Sequence, residues 1–287
     1  MRIKNWLIST IGVLLFTSCN QLITEVDPPQ STPKLVVYSV ISPQDTLIEV
    51  KVYKSHPLFS GTPYQSYENK FPPLTNATVL LSGAGKSVTL LYDTETETYT
   101  IDAQLFNITP GGQYELKVMA PDLQQVTAEC TVPPDTPSAV EITHMGTVDN
   151  YDTDSWYMEF NFKDLKGEGH YYTVNMGTFY NNNPWTDETY LIDMGFKGEQ
   201  LITDKNMDES VYKYKSYPIN LEMITYNFIW ISLSLVDENY YKYKQSVNSF
   251  QGDNPFSEPT PIFSNITDGL GMFAGINTRL TRVEVER

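Results

Sequence analysis

In SWYMEFNFKD, residues 155–164, every second side chain is large and apolar: Trp156, Met158, Phe160 and Phe162 alternate with Tyr157, Glu159 and Asn161. A period of two puts the first set on one face of an extended strand and the second set on the other, which a helix cannot do. Short β-rich runs of this kind recur from one end of the chain to the other. KLVVYSVIS (34–42), TLIEVKVYKS (46–55), ATVLLSGAGKSVTLLYD (77–93), TYTID (98–102), ITPGGQYELKVMAP (108–121) and QQVTAECTVPP (124–134) follow one another, separated by turn residues. Helical periodicity is almost absent from this half. The pattern predicts a mainly all-β protein.

About seven strands in residues 34–135, closing on the Pro-Gly-Gly-x-Tyr pattern and a strand that ends in TVPP, resemble an immunoglobulin- or fibronectin III-like β-sandwich. PPDTP (133–137) is the expected boundary to a second β-rich domain, 136–287, with further strands expected at 169–177, 188–194, 210–216 and 226–236. One short helix interrupts them. In DENYYKYKQSVNSF (237–250), Tyr240, Tyr243, Val247 and Phe250 recur at helical spacing and Asp237 suits the N-cap. GMFAGINTRLTRVEVE (271–286) then reads as a glycine-relaxed strand returning to the sheet. Gly269, Gly271 and Gly275 imply that 270–275 is bent, buried and closely approached by another backbone, against the helix or its loop.

The N-terminus reads differently. Arg2 and Lys4 precede an apolar stretch, Trp6 to Phe16, and Thr17 and Ser18 lead into Cys19. That stretch is too short for the roughly 20 residues of a membrane span and suits the core of an export signal. It resembles a lipobox, with Phe16 where Leu is commoner, so residues 1–18 are expected to be a lipoprotein signal peptide and Cys19 the lipidated residue. Acyl chains would anchor the mature protein, since each buried CH₂ contributes about 0.8 kcal/mol. Residues 19–33, with Pro28, Pro29 and Pro33, form the expected tether.

The net charge of −16 excludes nonspecific nucleic-acid binding and disfavours attachment to anionic lipid by charge. The GAGKS stretch (83–87) lacks the earlier glycine of a phosphate loop and runs into a strand, so a hairpin turn is expected there. DNYDTD (149–154) spaces its oxygens like a calcium loop but lacks the glycine and the closing glutamate. His56, His144 and His170 show no zinc spacing, and Cys130 alternates with Val126, Ala128 and Val132 as a packed apolar residue. No catalytic residue, metal or cofactor is therefore expected. Tyrosine is the outlying residue, 20 of 287. Most suit a pleated surface, but FYNNNPW (179–185) offers Tyr180, Asn182 and Trp185 as candidate ligand-binding residues.

Taken together, LVVYSVISP (35–43), ITPGGQYELKVMAP (108–121), VDENYYKY (236–243), NPFSEP (254–259) and SNITDGLGMFAG (264–275) carry a resemblance to the Bacteroidota outer-membrane lipoproteins known as DUF4249. Asp268 stands where that pattern often has glycine. The resemblance implies no known activity or catalytic residues. It implies a non-enzymatic accessory or ligand-binding protein, lipid-anchored in the outer membrane and possible at the cell surface, partnered with a TonB-dependent receptor in nutrient uptake. The alternative is a surface glycan-binding or adhesive module that needs no transporter. A receptor gene beside this one would favour the first reading, and a hydrolase cluster the second.

Overall fold

Strand β1, Leu35–Ile41, buries Leu35, Val37, Ser39 and Ile41 on one face and leaves Val36, Tyr38 and Val40 half-exposed on the other, as its alternating sequence requires. The computed structural model to which β1 belongs describes residues 32–55, 72–148, 155–180, 190–205, 208–220, 228–250 and 261–285. Within them the chain is all-β with one helix, and its strands form face-to-face layers of the β-sandwich kind.

Six more strands follow β1 as expected: β2 (Leu47–Lys54), β3 (Thr78–Gly83), β4 (Lys86–Asp93), β5 (Thr98–Asp102), β6 (Gln113–Met119) and β7 (Val126–Thr131). They lie in the order β1-β2-β5-β4-β3-β6-β7. GAGKS is the tight turn of the β3–β4 hairpin, with Ala84 and Gly85 both at positive φ between the paired Gly83 and Lys86. Val37, Ile48, Val50, Val79, Leu81 and Leu116 fill the core enclosed by these strands. The Tyr114 hydroxyl accepts from the Thr109 amide at 2.7 Å, tying the start of β6 back to the preceding loop in the manner of a tyrosine corner. Cys130 is a free, buried thiol in this core, and burial pushes its pKa far up, so it serves as packing.

The later strands are β8 (Glu141–Thr147), β9 (Ser155–Lys163), β10 (Tyr171–Tyr180), β11 (Tyr190–Asp193), β12 (Phe196–Lys197), β13 (Leu201–Thr203), β14 (Val211–Ser216), β15 (Ile219–Asn220), β16 (Phe228–Val236) and β17 (Leu270–Glu284). One layer runs β12-β14-β9-β15 with β8 beside β9. It faces β10, β16 and the end of β17 across a second core. Trp156, Met158, Phe160 and Phe162 of β9 meet Tyr172, Val174, Ile231 and Leu233 there. The four alternating apolar residues of β9 are thus all buried, each contributing about 1.5–3 kcal/mol by removal from water.

Strand β17 joins the two halves. Its first residues, 270–275, pair in parallel with β1, and from Ile276 onward it pairs antiparallel with β16. Gly271 lies at φ +112 opposite Val37, so close that a Cβ would stand 1.9 Å from the Val37 carbonyl oxygen. Gly275 is likewise pressed against the Thr131 and Val132 backbone, which brings β7 round against β17. The bent, closely approached strand expected from these glycines is therefore present. Asn277, fully buried, donates to the Pro133 and Asp135 carbonyls, and Arg279 donates to that of Pro137, fastening PPDTP to β17.

Away from β1, side chains serve the backbone of β17 in place of a strand. Asn265 Oδ1 accepts from the Phe273 amide at 3.0 Å, and its Nδ2 donates to the Phe273 carbonyl at 2.7 Å. Asn265→Ala is expected to cost about 2 kcal/mol, because it leaves a buried amide and carbonyl unpaired; a chemical-denaturation midpoint unchanged from the parent would contradict that role. Asp268, two residues before β17, adopts φ +64, the left-handed conformation that glycine enters most readily.

Helix α1, Glu238–Asn248, starts on Asp237 as its sequence suggests, with Asp237 Oδ1 accepting from the Tyr240 amide at 2.9 Å. Its periodic face is only partly covered. Tyr243 packs on Tyr38 with ring centroids 5.9 Å apart, whereas Val247 and Phe250 remain exposed and Phe250 falls beyond the helix end.

Candidate functional site

Three strand ends in the second half bring ionisable side chains into a largely buried cluster. Asp164 follows the last residue of β9, His170 precedes the first of β10, and Asp204 follows the last of β13. The Asp204 amide donates to the His170 carbonyl, joining the ends of β10 and β13, while the Asp164 amide donates to the Ser210 carbonyl just before β14. Asp204 is fully buried and Asp164 is 4% exposed, while the His170 side chain keeps 20% exposure.

Asp204 is well served by donors. Its Oδ1 accepts from the Gly169 amide at 2.9 Å, and its Oδ2 accepts from the His170 amide at 3.0 Å and meets His170 Nδ1 at 2.8 Å. Asp164 is not. Tyr172 donates its hydroxyl to Asp164 Oδ1 at 2.6 Å, but Asp164 Oδ2 is buried with no partner. Burial raises the Asp164 pKa against the lowering effect of the Tyr172 bond, and Asp204 nearby raises it further. The buried Tyr212 hydroxyl also lacks a partner; burial raises its pKa, and Asp164 and Asp204 both add to the rise. A carboxylate oxygen from each aspartate and a ring nitrogen of His170 all lie within 4.8 Å of one another, so these three residues could hold a metal ion.

A second feature lies at the start of α1. An open cleft of about 510 Å³ is rimmed by Glu115, Glu129, Asp237 and Glu238, with Tyr114 and Asn239 also in its wall. Asp237 is half-buried there, and burial pushes its carboxyl up to about 6 despite backbone donors that pull the other way.

The residues singled out in the sequence fare unevenly. Tyr180 ends β10, and Asn182, Trp185 and Cys19 lie outside the described residues, as do DNYDTD and NPFSEP. His144 packs on Tyr157, with ring centroids 5.4 Å apart. Among the described residues, His170 is the histidine that joins a carboxylate cluster, which its sequence spacing does not suggest. Asp204 lies 34 positions further on, and only the pairing of β10 with β13, with Tyr171 opposite Thr203, brings the two together.

Comparison with known proteins gives one family. The family model described as a domain of unknown function, DUF4249, matches residues 23–282. No curated protein matches the sequence. Among solved structures, the chicken interferon gamma receptor alpha chain aligns at 12% identity over 89% of this chain and 98% of its own, with a TM-score of 0.19. A 1.5-MDa bacterial ice-binding adhesin aligns at 12% identity over 91% of this chain and 66% of its own, also at 0.19. Scores this low carry no argument about function.

Proposed function

For this chain, which belongs to the DUF4249 family, we propose the role of a lipid-anchored, non-enzymatic accessory protein of the outer membrane that works with a TonB-dependent transporter. The observation that carries this reading is the LLFTSCNQL stretch, in which an apolar run and small polar residues lead into Cys19 ahead of an acidic β body. The thiol of Cys19 becomes a thioether to diacylglycerol, and the prolines between Cys19 and β1 give the body reach from the bilayer. The full sequence carries −16, and loss of Arg2 and Lys4 with residues 1–18 takes the body to −18, so it is repelled by anionic lipid and the acyl chains hold it there. The acidic cleft beside α1 supports a contact surface for a polar or basic segment of a partner.

The test is affinity purification of the protein from detergent-solubilised membranes of its own cell. The parent is expected to bring down a β-barrel receptor, and Cys19→Ser to leave the membrane fraction, while Cys130→Ser behaves as the parent. Recovery of the parent as a lone monomer counts against the transporter role. Acyl-type membrane attachment that survives Cys19→Ser counts against the anchor.

A further inference from the structure

We propose that Asp164, His170 and Asp204 form a binding site for one divalent metal ion of the zinc type, held at the end of the second sandwich where β9, β10 and β13 meet.

Two carboxylates buried within reach of each other need compensation, and among the described residues His170 is their one ion-pairing partner. A protonated imidazole balances one of the two. A dication balances both and leaves the imidazole neutral, the form in which it ligates.

Asp164 is 4% exposed, its Oδ1 is fixed by Tyr172, and its Oδ2 has no hydrogen-bond partner. Folded proteins rarely leave a buried carboxylate oxygen unserved. A metal ion coordinated by the Asp164 carboxylate removes the anomaly.

Support from neighbours completes the case. Metal ligands are oriented by hydrogen bonds from groups around them. Here the Tyr172 hydroxyl orients Asp164, and the Gly169 and His170 amides orient Asp204. The Tyr212 hydroxyl is also buried without a partner, near enough to Asp164 and Asp204 for both to raise its pKa.

One imidazole nitrogen with two carboxylate oxygens suits zinc and similar first-row ions, whereas calcium asks for six to eight oxygens. At metal–donor distances of about 2.0–2.2 Å, tetrahedral donors stand about 3.3–3.6 Å apart, so donors all within 4.8 Å of one another need only small shifts, and the 2.8 Å contact of His170 Nδ1 with Asp204 Oδ2 opens to admit the ion. His170, partly exposed, marks the way in from solvent.

The experiment uses the untagged full-length protein in detergent, stripped with chelator and dialysed against ZnCl₂. One zinc per chain is expected by elemental analysis, with a raised melting temperature. Asp164→Asn, which keeps an oxygen for Tyr172, and His170→Gln are each expected to weaken zinc at least tenfold. In the parent itself, zinc is expected to shift the ring resonances of His170. A hundredfold excess of calcium is expected not to displace the zinc. Failure to retain zinc overturns the proposal. So does unchanged affinity in Asp164→Asn, displacement by calcium, or a shift confined to His56 and His144.

Discussion

Gly271→Val is expected to leave the protein without a stable native state. The Cβ that any other residue brings would sit 1.9 Å from the Val37 carbonyl oxygen and 2.8 Å from its carbon. These are backbone atoms of a paired strand, so they cannot turn aside as a side-chain tip can. The position also sits at φ +112, a conformation that side-chain-bearing residues rarely adopt and β-branched ones least of all. Relief means separating β1 from β17, which exposes Leu35, Val37 and Phe273 together. Strain and lost pairing together come to about 4 kcal/mol or more, close to the whole stability of a marginal domain. The measurement is a thermal melt by circular dichroism with the soluble yield alongside. Melting at the parent temperature would mean that β17 does not lie against β1 as described, and loss of partner binding at unchanged stability would make the region a contact surface instead.

Asp237→Ala is expected to have the next largest effect, about 3 kcal/mol. Asp237 Oδ1 caps α1 through the Tyr240 amide, and truncating such a cap costs about 1 kcal/mol. Asp237 Oδ2 accepts from the Gly275 amide at 3.0 Å, and the Asp237 amide donates back to the Gly275 carbonyl. Removing the carboxylate leaves the Gly275 amide unserved where β17 passes from β1 to β16, for about 1–3 kcal/mol more. Asp237→Asn separates the two roles, because one amide oxygen can keep the helix cap while the amide nitrogen cannot accept from Gly275. Urea denaturation is expected to place Asn between parent and Ala. Equal midpoints for Asn and Ala would show that the cap alone matters.

What could be read without coordinates was what local chemistry decides. Alternation placed Trp156, Met158, Phe160 and Phe162 on one buried face, and Asp237 announced the start of α1. Gly271 and Gly275 announced a close backbone approach, because glycine inside a strand is otherwise a weakness. The identity of the approaching strand was not readable, since Val37 is far away in sequence and hydrophobic alternation does not name a partner. The cluster of Asp164, His170 and Asp204 escaped for the same reason. Each residue sits just past or before a strand, where an aspartate or histidine ordinarily means a solvated turn. Only the pairing of β10 with β13 and the turn back from β9 make them neighbours. Helix α1 shows the opposite failure: a sound periodic signal, with Val247 and Phe250 exposed all the same.

The partnership of β1 with β17 also sets a clock. Strand β1 finds its parallel neighbour, residues 270–275, only across about 230 intervening residues, so the pairing waits until the chain between them has collapsed. Closing so long a loop costs on the order of 5 kcal/mol of chain entropy, and distant pairings of this kind are slow. Until then the folding chain has one edge of β1 bare, with its amides and carbonyls open to any extended segment. Completion of the sheet is therefore a late event, and the partly folded chain is open to wrong pairing for as long as it waits.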